Sequence, residues 1–340
     1  MIKFAAFALA LAAGIGQIVP VMAADSAVVV MYHRFGESAH PSTNIRIEQF
    51  EAHLEELAKP KYTVLPLPEI VAKLRARQPL PDRTVGITID DAFLSVYREA
   101  FPRLKSAGIP FTLFVATDPV DRNIGGYMNW DQIRELQKAG VTIGSQTHTH
   151  LHMARSSDER NRGELEKSNA RFRSELGEAP TIIAYPYGEY SLAVGKTSKE
   201  AGLTVGFGQH SGVLHPDADI MYLPRFAMNE NFGGISRFKL AVNALPLTVT
   251  EVLPADPLLS ADNNPPILGF TVKGAAAERL SALACYASGQ GKARMERLGA
   301  RVEVRLQQAF SPGRARINCT MPTRSGRWRW YGLQFYVPRS

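Results

Sequence analysis

Two six-residue runs constrain this chain more than anything else in it. Ala27 to Tyr32 (Ala-Val-Val-Val-Met-Tyr) is continuously apolar, and Thr84 to Ile89 (Thr-Val-Gly-Ile-Thr-Ile) carries no charge and no strongly polar residue. Each is expected to be a strand buried on both faces, as in a parallel sheet covered by helices. Helical patterns follow at the right places. Ile47, Phe50, Leu54 and Leu57 recur at helical spacing among Glu48, Glu51, Glu55 and Glu56, and Pro60 ends the run. Further helices are expected over 70–77, 93–107, 130–139, 159–176 and 192–201. Short apolar strands are expected over 109–116, 141–144, 181–184, 203–207 and 221–226. About seven strand–helix units predict an α/β fold closing into a barrel or nearly so, with chemistry gathered at the C-terminal ends of the strands. His33, Asp90, Asp91, the segment 143–153, Tyr185-Pro186-Tyr187 and His210 all stand at such ends.

The flanks read differently. Residues 1–23 have Lys3, an apolar run from Phe4 to Val19, and Val21-Met22-Ala23 as a small-residue cleavage site. That is the pattern of a secretory signal cut near Ala23, which would place the mature chain in the periplasm or outside the cell. Residues 24–235 would form the barrel and 236–266, rich in proline, an irregular linker. Residues 267–340 would form a small β-rich domain with alternating segments such as Arg327-Trp328-Arg329-Trp330-Tyr331. The chain's +7 charge is concentrated here: from Thr271 onward 13 Lys and Arg face three Glu, and the rest of the chain is slightly acidic. For an exported protein such a basic face suits an anionic glycan or a membrane surface, and nucleic acid is not expected as a partner. The only cysteines, Cys285 and Cys319, would either form a disulfide in this domain or stay as two buried thiols.

Two clusters carry chemistry. Ile143-Gly144-Ser145-Gln146-Thr147-His148-Thr149-His150-Leu151-His152-Met153 holds three of the eight histidines within five residues. Imidazole at a strand end is a metal-ligand signal. Asp90-Asp91 places two carboxylates where a buried strand breaks into a loop. There one can ligate a divalent ion while its neighbour takes a proton from an attacking water, although Asp-Asp also caps helices.

Together these segments resemble the polysaccharide deacetylases with a NodB-homology domain. Thr88-Ile89-Asp90-Asp91-Ala92 is similar to their first motif, Ile143 to His150 to their second, and Ala184-Tyr185-Pro186-Tyr187-Gly188 to their third, in the form found in exported poly-N-acetylglucosamine deacetylases, which also carry a Tyr-His pair like Tyr32-His33. The resemblance covers about residues 27–232. It implies a distorted (β/α) barrel, a divalent ion (zinc first, with cobalt or nickel as alternatives) and hydrolysis of N-acetyl groups from an N-acetylated polysaccharide. It also assigns roles: Asp90 as general base, Asp91 and His150 as metal ligands, and a late histidine as the proton donor to the leaving amine, for which His210 is the candidate unless it is a surface-loop histidine. Tyr187, Pro186 and His33 would line the substrate site, with a backbone N–H near Tyr187 on the oxyanion; Trp130, at the start of its helix, is either a sugar-stacking ring there or a core residue.

Three positions depart from the family pattern. Ala92 replaces a glycine. Ala184 stands where many members have an arginine that orients the base; Arg225 either takes over that task or makes an ordinary surface ion pair. Gln146 stands where the first histidine ligand belongs. Either Gln146 ligates through its amide, or the frame slips by two and His148 with His152 forms the ligand pair; the gapless frame is the one expected here. An amide is a poorer ligand than imidazole. Two other activities are compatible with these residues: a glycan-binding protein on an impaired barrel, and an esterase removing O-acetyl groups.

Overall fold

The computed structural model describes residues 23–339. The expected leader lies outside the described residues except for Ala23, and no described helix is long and apolar enough to cross a membrane.

Both constraining runs are strands with every residue buried: β1 (Ala27–Tyr32) and β2 (Thr84–Ile89). They pair in parallel from Ala27 against Thr84 to Tyr32 against Ile89, so their C-terminal ends are flush. The sheet continues through β3 (Thr112–Val115), β4 (Thr142–Ser145), β5 (Ile182–Ala184) and β6 (Val205–Phe207), while β7 (Phe226–Ala227) pairs with the other side of β1. All these pairings are parallel. The order β6-β5-β4-β3-β2-β1-β7 leaves two sheet ends, and one segment touches both. Leu223 exchanges backbone hydrogen bonds with Gly206 and Gly208 beside β6, at 2.8 and 2.9 Å. Three residues later Phe226 pairs with Val30 of β1. The expected strand 221–226 is thus reduced to its last residue, Phe226, followed by Ala227, because Pro224 has no N–H for a ladder.

The helix expected over 93–107 is broken. A π-helical turn, Val96–Ala100, precedes the α-helix Phe101–Ser106. Pro102 cannot donate to the carbonyl of Arg98, and the ladder widens there. The residues expected to form an irregular linker are also largely ordered. Helix Ile235–Val242 belongs to the barrel: Phe238 stacks on His53 at 3.8 Å between ring centroids, and Lys239 Nζ lies 3.6 Å from the buried Glu56. Next come β8 (Leu245–Pro246) and β9 (Val249–Leu253). Proline is tolerated in β8 because β8 is an edge strand.

The C-terminal part is two sheets around one core. One has the order β8-β16-β15-β11-β12, made by β11 (Ala284–Ala287), β12 (Gly291–Lys292), β15 (Gly313–Pro322) and β16 (Trp328–Val337). The other joins β9 to β10 (Leu268–Val272), β14 (Arg301–Arg305) and β13 (Arg294–Leu298). Phe270 and Val302 from the second sheet share a buried cluster with Ile317 and Phe335 from the first. Cys285 and Cys319 sit directly opposite on β11 and β15 and form a disulfide.

Candidate active site

The flush ends of β1 and β2 put His33 beside Asp90. The Asp90 N–H donates to the Tyr32 carbonyl at 2.9 Å, which carries the ladder one residue past β2. Asp90 is fully buried, and a buried carboxylate needs a partner. Arg225 supplies it, placed by the closing segment between the two sheet ends. Its Nη1 and Nη2 meet the two Asp90 oxygens at 2.7 and 2.9 Å, Nη1 also donates to Thr88 Oγ1, and Nε donates to the Gly208 carbonyl. Arg225 is itself fully buried, so the surface ion pair considered above does not occur. Ala184, where the family's arginine is usual, is a buried core residue. His33 Nε2 lies 3.8 Å from Asp90 Oδ2.

Asp91 turns away from the strand with φ 75°, and Ala92 follows at φ 52°, a left-handed pair at which the family's glycine would be unstrained. The Asp91 Oδ1 is buried and makes no hydrogen bond; His150 Nε2 is 3.3 Å from it. Burial pushes the Asp91 carboxyl up, but the hydrogen-bonding capacity of His150 and the nearby charges of His33, His150 and Arg34 outweigh it and hold the group below its ordinary range.

The histidine segment divides by partner. His148 Nδ1 is within 2.8 Å of Thr117 Oγ1. His152 Nδ1 is 2.8 Å from the buried Glu189 Oε2, and its ring stacks on Tyr187 at 3.9 Å. Glu164, from helix Asp158–Leu176, accepts from both the N–H and the hydroxyl of Thr149 and pins the loop. Of the three histidines only His150 faces Asp91, as the gapless frame requires; the slipped pair, His148 and His152, is turned to other partners.

Gln146 is fully buried, and its Oε1 accepts the Asp91 N–H at 3.0 Å. That bond orients the amide, because the reverse orientation would set NH2 against N–H. Its Nε2 is left buried without a partner. Among the described residues no group of three or more His, Cys, Asp or Glu side chains is arranged for a metal ion. The pair Asp91 and His150 does fit one: bonds of about 2.1 Å to a single ion leave neighbouring donors about 3.0–3.4 Å apart. Gln146, which presents a donor, does not supply the third corner.

Tyr187 and Gly188 form a left-handed turn after β5, at φ 60° and 67°, with Tyr187 against both His150 and His152. A Cβ on Gly188 would lie 2.5 Å from the Gln209 nitrogen, so this position requires glycine. Burial, then the charges of Asp91 and Glu189, raise the Tyr187 phenol, which stays neutral. Pro186 is buried beside it.

Two expected residues are placed elsewhere. Trp130 packs edge-on against Phe172, and its indole N–H donates to Asp121 at 2.7 Å. It is a core ring and not a sugar platform. His210 is 6 % exposed and lines a cavity of about 220 Å³ between the barrel and the C-terminal sheet. Burial, with Arg316 and Arg225 near, pushes its imidazole down to about 3. Its ring is therefore neutral at neutral pH and holds no acidic proton for a leaving amine. Sequence reasoning missed Tyr127, whose phenol feels the Asp91 charge, and Arg34, which lies over the Phe93 ring at 3.4 Å. It also missed Arg314 and Gln334 of the C-terminal sheet, which reach the Tyr187 carbonyl. None of these four belongs to a local motif.

Residues 77–206 match the model of the polysaccharide deacetylase family. A Staphylococcus aureus protein named poly-beta-1,6-N-acetyl-D-glucosamine N-deacetylase is 27 % identical over 236 residues, spanning 61 % of this chain and 80 % of that one. Among solved structures, IcaB from Ammonifex degensii aligns with TM-score 0.56 and 26 % identity over 64 % of this chain and 98 % of its own. The Streptococcus pyogenes deacetylase PplD aligns with TM-score 0.59 and 19 % identity over the same two shares.

Proposed function

Because the barrel of this chain belongs to the polysaccharide deacetylase family, hydrolases of carbon–nitrogen bonds other than peptide bonds, we propose that the protein removes N-acetyl groups from an N-acetylglucosamine-containing polysaccharide. In this reading it acts after export and with a divalent ion, zinc first among the candidates. The observation that carries it is the convergence of a buried, arginine-held carboxylate, Asp90, with the Asp91–His150 pair at 3.3 Å. The similarity to the Staphylococcus aureus N-deacetylase supports the choice of substrate.

Asp91 and His150 would hold the ion, which when bound acidifies water and polarises a carbonyl. Asp90 is the general base. Arg225 occupies one lone pair on each oxygen and leaves the others free, so the carboxylate stays oriented and can still accept a proton. His33, 3.8 Å from Asp90 and partly exposed, replaces His210 as the group that passes a proton to the departing amine. The Tyr187 turn offers its backbone N–H to the oxyanion, and its ring forms one wall of the site.

The test is acetate release from N-acetylglucosamine oligomers with zinc, cobalt or nickel supplied. Release that is abolished by Asp90→Asn supports the reading, and no release with any of the three ions refutes it. Parallel O-acetylated substrates separate an amidase from an esterase. The orphaned Gln146 Nε2 favours a second reading, a glycan-binding barrel of low activity. Binding of oligomers without turnover would select it. The basic C-terminal sheets are proposed to meet anionic glycan or membrane, an association that should weaken steeply with salt.

A further inference from the structure

Gln334 sits in the middle of β16 and is 2 % exposed, an expensive place for a carboxamide unless each polar atom is used. All are. Its Oε1 accepts from Arg316 Nε at 2.9 Å, the residue directly opposite on β15. Its Nε2 donates to the Tyr187 carbonyl at 3.1 Å and the Gly188 carbonyl at 2.8 Å. Tyr222 adds its hydroxyl to the Gly188 carbonyl at 3.0 Å. Arg314 reaches the Tyr187 carbonyl at 3.4 Å and lies 5.7 Å from the ring centroid.

The two carbonyls so held belong to consecutive left-handed residues, and for an aromatic residue that conformation costs energy and persists only under external constraint. Tyr222 supplies one bond from within the barrel; the others, from Gln334 and Arg314, come from outside it. IcaB and PplD align over nearly their whole length yet leave about a third of this chain unmatched.

We propose that Gln334 is a positioning residue of the active site: through it the C-terminal sheet holds the Tyr187–Gly188 turn against His150 and His152, which makes the appended sheet part of the hydrolytic unit. The inference rests on the deacetylase reading for its kinetic consequence and on geometry alone for the clamp. It does not need the sheet to bind polysaccharide.

The experiment uses the full chain with Gln334→Met, which keeps the volume and loses both donors, and Gln334→Glu, which sets a carboxylate against two carbonyls. Hydrogen exchange and acetate release are read together with thermal stability. The expected result is exchange at least tenfold faster over residues 186–190 with β1 and β2 unchanged, and kcat lower by about 10- to 100-fold with KM within about threefold. Exchange over 186–190 that is unchanged, or changed only in step with the whole chain, overturns the clamp. Faster exchange with unaltered kcat in an active wild type overturns its positioning role. A wild type that releases no acetate defeats the deacetylase reading instead, and exchange alone then decides the clamp.

Discussion

Replacing Gln146 by histidine tests the metal argument at its weakest corner. Gln146 Oε1 is committed to the Asp91 N–H at 3.0 Å, so the group turned away from it is a buried NH2 with no acceptor. A cation gains nothing from that donor, and an unsatisfied buried donor costs about 1–3 kcal/mol. Histidine would instead present an imidazole lone pair beside the Asp91–His150 pair, and a third direct ligand should tighten zinc by about 1–3 kcal/mol, the scale of one polar contact to a charged group. At about 1.4 kcal/mol per decade, this is roughly 5- to 150-fold in Kd. Calorimetric titration of zinc into chelator-treated protein measures it, and metal per chain after dialysis gives a second readout independent of turnover. Gln146→Ala serves as the control: it removes the NH2 without adding a ligand, and should gain less than the histidine variant. Equal affinity in wild type and Gln146→His, or one tightly held zinc per chain in dialysed wild type, would refute the reasoning.

Three other outcomes follow from the same geometry. Arg225→Met leaves Asp90 charged, buried and unpaired, and should cost about 3–5 kcal/mol of stability in urea unfolding; a loss below 1 kcal/mol would show that Asp90 has other support. Reducing the Cys285–Cys319 bridge, which closes a 34-residue separation, should lower stability by up to about 3.8 kcal/mol on the chain-entropy relation, visible as a drop in Tm with reductant. His53 is buried and held down at about 4, with Tyr32 and Gly233 on its two nitrogens. Its folded value lies below its unfolded one, so its contribution is complete above about pH 6.5 and is lost as pH falls towards 4, by up to ~1.4 kcal/mol per pH unit. The stability gap between wild type and His53→Gln should therefore shrink as pH falls from 7.5 to 4.5, and a constant gap would contradict the assignment.

What could be read from the chain alone was local. Uncharged runs of β-branched residues announce doubly buried strands, and Asp90-Asp91 or the histidine segment announces a strand end, because the cause lies within a few residues. What escaped was set across distance. Gln334 reaches Gly188 over 146 residues with no periodicity to mark it, and the pairing of Arg225 with Asp90 over 135 is in sequence only one of two alternatives. Trp130 looks the same in sequence whether its ring faces sugar or core; Asp121 decides it, through a bond formed only on folding. The prolines of 245–266 suggested an irregular linker because proline signals breaks, yet an edge strand needs no N–H on its open side. His210 was misjudged because titration depends on burial, and burial here comes from a sheet more than a hundred residues downstream.

The segment that closes the sheet has a consequence for how the chain can vary in length. Leu223 is tied to one end of the sheet and Phe226 to the other, with two residues between them, so this stretch has no slack. One residue more or fewer would move Arg225 out of the gap it fills. The preceding stretch, around His215 to Ile220, is turn-like and partly exposed, and can absorb insertions without reaching the carboxylate. Relatives that differ in length should therefore differ before Met221, and a tag or probe inserted for experiment belongs there as well.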